Sequence, residues 1–485
     1  MYHPILKEVL NFKQDYNIVP VCREFYADMI TPITLLQKIS TISSNYYLLE
    51  SVEEGKNWGR YSFLGFDPIV TAHCKDGVVI LEGDIQNQVK TSKPIDVLRE
   101  VMKTFRSPHI PEMPPFTGGF IGYFSYEMIN YAEPTLKLKK SDFDDFRLML
   151  FDQIIAYDHM KQKICVIVNM KLADGEEGYR DACGKIDDII RLINKPISIA
   201  VEDVEEISEF QCNISEEEFC KLVKRVQEYI VEGDIFQAVV SRRLEVPCQS
   251  SLLNVYRVLR TTNPSPYMYL MSMEGVQYAG TSPETLIKLK DGKLITYPVA
   301  GTRTRGKNYK EDLELEKELL ADEKELAEHN MLVDLARNDI GRIAKFSTVK
   351  VEEYMQIHRY SKVMHITSVV CGDIREDKDA FDAIEVMLPA GTLSGTPKIR
   401  ACEIIDELEP SARGIYGGAI GYIDFFGNLD TCIAIRTAIK KDGIVYVQAG
   451  GGIVADSVPR KEYMESQNKA RAIIDAIKKA NEVDN

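Results

Sequence analysis

The sequence predicts an α+β fold, a large layered α/β sandwich of mainly antiparallel sheets. Many short apolar segments are joined by hairpin-length turns, and helical patterns fall between groups of strands instead of after each one. Apolar residues make up 45% of the chain, which is enough for a sizeable core. A doubly wound parallel sheet would alternate strand and helix throughout. The 485 residues are material for roughly two to four average domains or one composite.

Residues 1–20 look like a helical lead-in, and 33–50 pass from a helix into the strand-like Tyr46, Tyr47, Leu48 and Leu49. Strands follow at 58–65 and 68–73, and Asp76-Gly77 marks a two-residue hairpin turn. A helix is expected at 93–106, a proline-rich linker at 108–115, and a glycine-punctuated strand at 118–127. Residues 147–158 and 163–170 should pair across His159–Gln162, and a helix should span 177–194. An acidic run at 201–211 suggests a boundary near 200–213, giving an N-terminal region 1–210 and a second region 211–485. The second region opens on a helix with a capping box, Ser215 and Glu218, and a stop at Gly233. Strands are expected at 235–246, 267–273, 276–280, 284–290 and 293–297, with a helix at 251–260. The helix 322–339 leads to strands near 343–352 and 362–372, then helices at 378–387 and 398–407 around a glycine- and threonine-rich loop at 389–397. Strands at 414–424, 430–439 and 443–449 precede a last helix at 458–480. GGFIGY (118–123) and GGAIGY (417–422) echo one another, through similar strands given to one sandwich or by coincidence.

Net charge is −15, which argues against a nucleic-acid binder, since phosphate contact needs a basic face. No stretch approaches eighteen consecutive apolar residues and the N-terminus has no signal-peptide core, so no membrane association is expected. Ten scattered cysteines without a Cys-x-x-Cys pair suit reduced thiols, and hence a cytoplasmic protein.

The helix 322–339 places Leu326, Met331, Leu332 and Leu335 on one stripe, and Glu325 and Glu328 project from one side of it. Glu462 and Glu465 repeat the spacing in the last helix. Acidic pairs on helices are ordinarily solvated, but two facing pairs could supply the oxygen ligands that Mg2+ prefers. Gly301-Thr302, the loop 389–398 and the glycines 450–452 end or follow strands, where bare backbone approaches a ligand closely. Arg436 among apolar neighbours needs an anionic partner, either a structural ion pair or a ligand. His365 alternates with apolar strand residues, as a packed core histidine would. Glu284 follows a proline turn; solvated it is unremarked, but buried it becomes a general-acid candidate.

These segments, notably NPSPYMYL, AGTSPE, PVAGTRTRG, VMHITS, GTLSGTPK, RGIYGGAIGY, LDTCIAIRT and QAGGGIVADS, closely resemble the large subunits of anthranilate synthases, within the chorismate-utilising enzyme family. The match is dense from about 215 to 475, with patches such as LLES (48–51) and GRYSFLG (59–65) before it. The resemblance implies a sandwich holding chorismate and Mg2+ in a cleft. It casts Glu328 and Glu465 as direct metal ligands and Glu325 and Glu462 as partners that orient the ion. Gly301, Thr302, Tyr416, Arg436, Gly450 and Gly452 match positions that hold chorismate, with Lys469 as an additional cation. The implied reaction adds ammonia at C2 with loss of the C4 hydroxyl, then eliminates pyruvate to give anthranilate, the first step of tryptophan biosynthesis. Glu284 would donate the proton to the leaving hydroxyl, and His365 is the position tied to the elimination, as base or electrostatic aid.

Related enzymes that activate water carry lysine where this chain has Gln237, and aminodeoxychorismate synthases carry lysine where it has Ala300. Both absences favour the anthranilate reading over aminodeoxychorismate formation. A catalytically silent amino-acid-binding relative is the alternative of another class. By the same resemblance Ser51, Pro266, Tyr267 and Met268 line a site for inhibition by L-tryptophan. No cysteine lies in a Gly-x-Cys-x-Gly turn, so ammonia from glutamine would come from a separate glutamine amidotransferase subunit.

Overall fold

The computed structural model describes residues 1–51, 59–196, 207–359, 363–480 and 483. Two sheets of twelve strands each form the centre, and all their strand pairings are antiparallel. Tyr47, Tyr269, Met271 and Tyr278 of one sheet meet Ile121, Tyr123, Met149 and Phe151 of the other in a fully buried layer. Burying such side chains is worth about 1.5–3 kcal/mol each, which makes this layer the main cohesive term between the sheets. On the outer face of the first sheet lie the helices Pro32–Ser40, Gly175–Asn194, Leu252–Thr262 and Pro459–Lys479. The second sheet is covered by Pro94–Lys103, Glu323–Gly341 and Ala380–Met387. The order of layers is helix, sheet, sheet, helix.

Local chemistry sets the punctuation. Asp76 and Gly77 both take positive φ, 51° and 75°, as a tight hairpin between Val70–Lys75 and Val78–Gly83 demands. Ser215 accepts from Glu218 N and Gly233 stands left-handed at φ 87°, so the helix Glu216–Glu232 is closed at both ends. The two echoing glycine strands, Gly119–Phe124 and Ala419–Asp424, lie side by side with Gly122 opposite Gly421. A Cβ on Gly421 would stand 2.1 Å from the Asp430 carbonyl oxygen, so the close approach there requires glycine.

Several elements differ from the sequence reading. The lead-in is helical only over Leu6–Leu10 and Asn11–Gln14; the strand Ile18–Tyr26 then starts and pairs with Lys163–Lys171. The run 147–158 is two strands, Phe146–Phe151 in one sheet and Gln153–Asp158 in the other, with Asp152 at the crossing. The run 430–439 divides likewise into Leu429–Ile433 and Thr437–Lys441. A helix at Tyr309–Ala321, capped by Asn308, precedes the acidic helix, and the strand expected near 343–352 is Lys350–Arg359. The buried face of Glu323–Gly341 is His329, Leu332, Val333, Ala336 and Ile340, with Met331 and Leu335 at its margin. His329 anchors this face by a 2.6 Å bond to Ser368 on the strand Val363–Asp373.

Part of the expected boundary at 200–213 lies outside the described residues; both sheets draw strands from either side of it. The ten cysteines form no disulfide. Among the described residues no helix is long and apolar enough to cross a membrane.

Candidate active site

The site lies where the chain changes sheets twice in parallel. Val276–Ser282 belongs to the first sheet and Thr285–Lys290 to the second. Leu429–Ile433 and Thr437–Lys441 make the reverse crossing beside it, tied by Ile433 N–H to the Glu284 carbonyl at 3.0 Å and Thr281 N–H to the Arg436 carbonyl at 3.2 Å. Glu284 and Arg436 are the residues at the two bends. Arg436 sits at φ 51°, a conformation that turns the chain between the sheets.

The Glu284 carboxyl accepts a 2.8 Å hydrogen bond from the Thr392 hydroxyl. Desolvation raises it to about 7, against the opposing pull of Thr392, Lys469 and Arg436. It can therefore hold a proton near neutrality. Burial lowers the Arg436 guanidinium, and Glu284 is the charge that counters this. Among the described residues Arg436 has no salt-bridge partner, so the ion pair that would make it structural is missing.

Gly301 and Thr302 lie in the strand Val299–Thr304, paired with the strand that carries His365. The His365 Nδ1 is 3.2 Å from the Gly301 carbonyl oxygen and 2.9 Å from Thr302 Oγ1. A carbonyl only accepts, which assigns the proton to Nδ1 and leaves Nε2 as the basic atom. Burial first, and then the charge of Arg436, lower the imidazole, so it is neutral at physiological pH. Tyr416 is buried, with its phenol raised by desolvation and turned toward the backbone of Gly450.

Gly450 and Gly452 lie in the strand Ile444–Ile453, opposite Ser241 and Val239. A Cβ on Gly452 would stand 2.3 Å from the Gln237 amide nitrogen, and one on Gly450 2.3 Å from the Val240 carbonyl oxygen. Gly451, between them, faces Glu462 and Glu465, whose oxygens would lie 3.4 and 3.8 Å from its Cβ. Lys469 bonds Glu465 at 2.8 Å and the Gly450 carbonyl at 3.1 Å, joining the last helix to the glycine strand.

The two acidic helices face one another. Glu328 is raised by burial and then by the charges of Glu325 and Glu465; Glu462 is raised by burial and by Glu465. Lys324 and Lys469 oppose both shifts. Glu325 also lies 3.6 Å from Arg303, which is held in turn by Glu318 and Asp322. Among the described residues no three acidic or imidazole side chains are already drawn in to ligand spacing. The donor set nevertheless fits a hard divalent cation: the carboxylates repel one another across a gap, and a cation between them relieves that repulsion.

Ser51 follows the strand Tyr46–Glu50, and Met268 pairs with Glu50, so Ser51 lies beside the segment Pro266–Met268. The Ser51 hydroxyl is buried and has no hydrogen-bond partner among the described residues. The Tyr267 hydroxyl bonds Asp430 at 2.7 Å and Thr285 at 3.0 Å; Met268 is buried in the core under the helix Leu252–Thr262.

Residues 45–475 match the family model described as chorismate binding enzyme. The chain belongs to the chorismate binding enzyme family. Anthranilate synthase component 1 of Acetivibrio thermocellus is 48% identical over all of both chains, and that of Aquifex aeolicus 43% over 98% of each. The crystal structure of anthranilate synthase component I from Streptococcus pneumoniae superposes with TM-score 0.78 at 37% identity, covering 87% of this chain and 94% of that one. The menaquinone-specific isochorismate synthase of Escherichia coli shares the fold at TM-score 0.69 and 18% identity, over 97% of this chain and 98% of its own.

Sequence reasoning about this family site missed Thr392 and the buried support behind Tyr416. Arg413 pairs with Glu409 at 2.6 Å, donates to the carbonyls of Val239 and Leu393, and lies 5.7 Å from the Tyr416 ring centroid. Arg413 and Glu409 are each 4% exposed, burial that the mixed polarity of EPSARG in the sequence does not announce.

Proposed function

We propose that the chain is the large, ammonia-using component of an anthranilate synthase, converting chorismate and ammonia to anthranilate and pyruvate, the first step of tryptophan biosynthesis. The observation that carries this reading is the pair at the sheet crossing, a carboxyl able to hold its proton near pH 7 beside a largely buried guanidinium that has no ion-pair partner among the described residues. Chorismate is a dianion, and Arg436, with Thr302 and the glycine backbone, supplies the local compensation that a chain of net charge −15 otherwise lacks. Glu284 protonates the C4 hydroxyl, and the C4–O bond breaks with its electron pair leaving on oxygen as water. The ring double bonds shift to C1=C6 and C4=C5, and the ammonia lone pair forms the bond to C2, the new ammonium giving its extra proton to solvent. The neutral His365 then takes the C2 proton through Nε2, and the C–H electron pair forms the C2=C3 bond that makes the ring aromatic. The C3–O bond breaks to release enolpyruvate, which takes a proton to become pyruvate. Tyr416 packs against the glycine strand and helps to close this volume to water.

Glu328 and Glu465 would hold Mg2+, with Glu325 and Glu462 orienting it. When bound, the ion neutralises a substrate carboxylate and so fixes the ring in place. Gln237 is 5% exposed and has no basic nitrogen, which disfavours water activation; Ala300 offers no nucleophile for an adduct with the ring. The buried Ser51 hydroxyl beside Pro266–Met268, without a partner among the described residues, supports a regulatory site for L-tryptophan. Ammonia comes from a separate glutaminase chain, and the place of action is the cytoplasm. The test is incubation with chorismate, Mg2+ and an ammonium salt: the blue fluorescence of anthranilate is expected, and glutamine alone should give none. A product that needs a further lyase to become aromatic would refute the reading.

A further inference from the structure

We propose that Thr392 is a positioning residue that decides which oxygen of Glu284 carries the proton and faces the leaving group. The inference rests on the general-acid role given to Glu284 above. Among the described residues Thr392 makes the single hydrogen bond to this carboxyl, to Oε1 at 2.8 Å. The other oxygen, Oε2, has no partner there and is not sealed from solvent. A hydroxyl that donates to Oε1 makes that oxygen the acceptor, so the proton resides on Oε2, the oxygen open to an incoming ligand. Once the proton has gone, the same hydrogen bond becomes charge-assisted and stabilises the carboxylate left behind.

The threonine is held rigidly enough for this task. It lies in the single turn Gly391–Leu393. On one side of that turn Arg413 binds the Leu393 carbonyl, and Val239 N–H binds the Ser394 carbonyl at 2.8 Å. Further along the loop Lys398 ties it to the acidic helix through Asp339 at 2.8 Å, and it reaches back to the carbonyls of Val386 and Met387, before the turn, at 3.4 Å. The Glu284 backbone is fixed as well, its carbonyl by Ile433 and its N–H by Ser282 Oγ. What remains adjustable is the rotation of the carboxyl, and Thr392 sets it. A cavity of about 50 Å³ lies beside the pair, lined in part by Leu335, Ala336, Met387 and Ile433, so a valine in place of the threonine meets no wall.

The charged and titratable groups around Glu284 are Arg436, Lys469 and Tyr416, together with Asp339 in the cavity wall, which Lys398 neutralises. None of them is altered by a change at Thr392. Thr392→Val should therefore move the alkaline limb of the kcat profile upward by about 0.5–1 pH unit, because a stabiliser of the carboxylate is gone. It should lower kcat about tenfold or more with KM little changed, since the proton is no longer aimed. Thr392→Ser, which keeps the donor, should restore both. Equal pH profiles for the parent and Thr392→Val, or loss of thermal stability with an unshifted profile, would overturn the positioning role. Glu284→Gln separates the two claims: if it retains turnover, the general-acid reading itself fails, whatever Thr392 does.

Discussion

Replacing the Glu284 carboxyl by an amide should make the protein more stable at alkaline pH while it abolishes turnover. The folded-state value is raised from the ordinary 4.5 to about 7, chiefly by desolvation. A raised group contributes stability that is fully present below the unfolded value and is lost as pH rises through the folded one. Between pH 4.5 and 7 the unfolded chain therefore releases this proton while the folded chain keeps it, and stability falls across that window. The shift corresponds to roughly 3 kcal/mol, which water reaching the cleft reduces to about 2. Glutamine has nearly the same shape, still accepts the Thr392 bond through its amide oxygen, and never ionises. Urea denaturation of parent and Glu284→Gln at pH 5 and pH 8, without substrate or Mg2+, gives the comparison. The variant should gain about 2 kcal/mol on the parent between the two pH values, with the change centred between 4.5 and 7. A constant difference across that range would show that Glu284 is not held against its charge, and the general-acid argument would lose its physical basis.

Glu465→Gln should weaken Mg2+ binding in calorimetry by at least tenfold and remove turnover, while circular dichroism stays unchanged. Arg436→Met should raise KM for chorismate by about a hundredfold or more, because a charge-assisted anchor for a carboxylate is lost; a KM within twofold of the parent would place the substrate elsewhere. Arg413→Met should cost about 3–5 kcal/mol in urea denaturation, since it strands the buried Glu409 carboxylate, and adding Glu409→Gln should recover most of it. Ser51→Leu should fill the space beside Met268 and leave ammonia-dependent activity intact while relieving inhibition by tryptophan, read as a shift in the inhibition curve.

The elements that were legible in the sequence carry their own local chemistry. Asp76-Gly77 and the Ser215–Glu218 box specify a turn and a cap whatever surrounds them. The antiparallel sandwich was readable because hairpin spacing is a local property. The sheet crossings at Asp152 and Arg436 were not, since a strand that leaves one sheet for the other keeps its apolar residues and its extended backbone. The helix Tyr309–Ala321 escaped because only Asp312 and Leu319 are buried in it, so its apolar face is weak. At the site, residue types drew attention to Glu284, Arg436 and the paired glutamates. The geometry that makes Thr392 matter depends on a contact spanning 108 positions, which no spacing rule reaches.

The paired bends have a mechanical consequence. The segments that carry Glu284 and Arg436 are stitched together by main-chain bonds, Ile433 to Glu284 and Thr281 to Arg436, so any breathing of the two sheets carries both along as one body. Each acidic helix packs against a different sheet, and their glutamates come within electrostatic reach of one another. Proton donor and guanidinium thus form a fixed anvil, whereas the carboxylates that would grip a cation ride on separate jaws. Tightening around a bound acid would change the span between those jaws and leave the spacing at the anvil untouched.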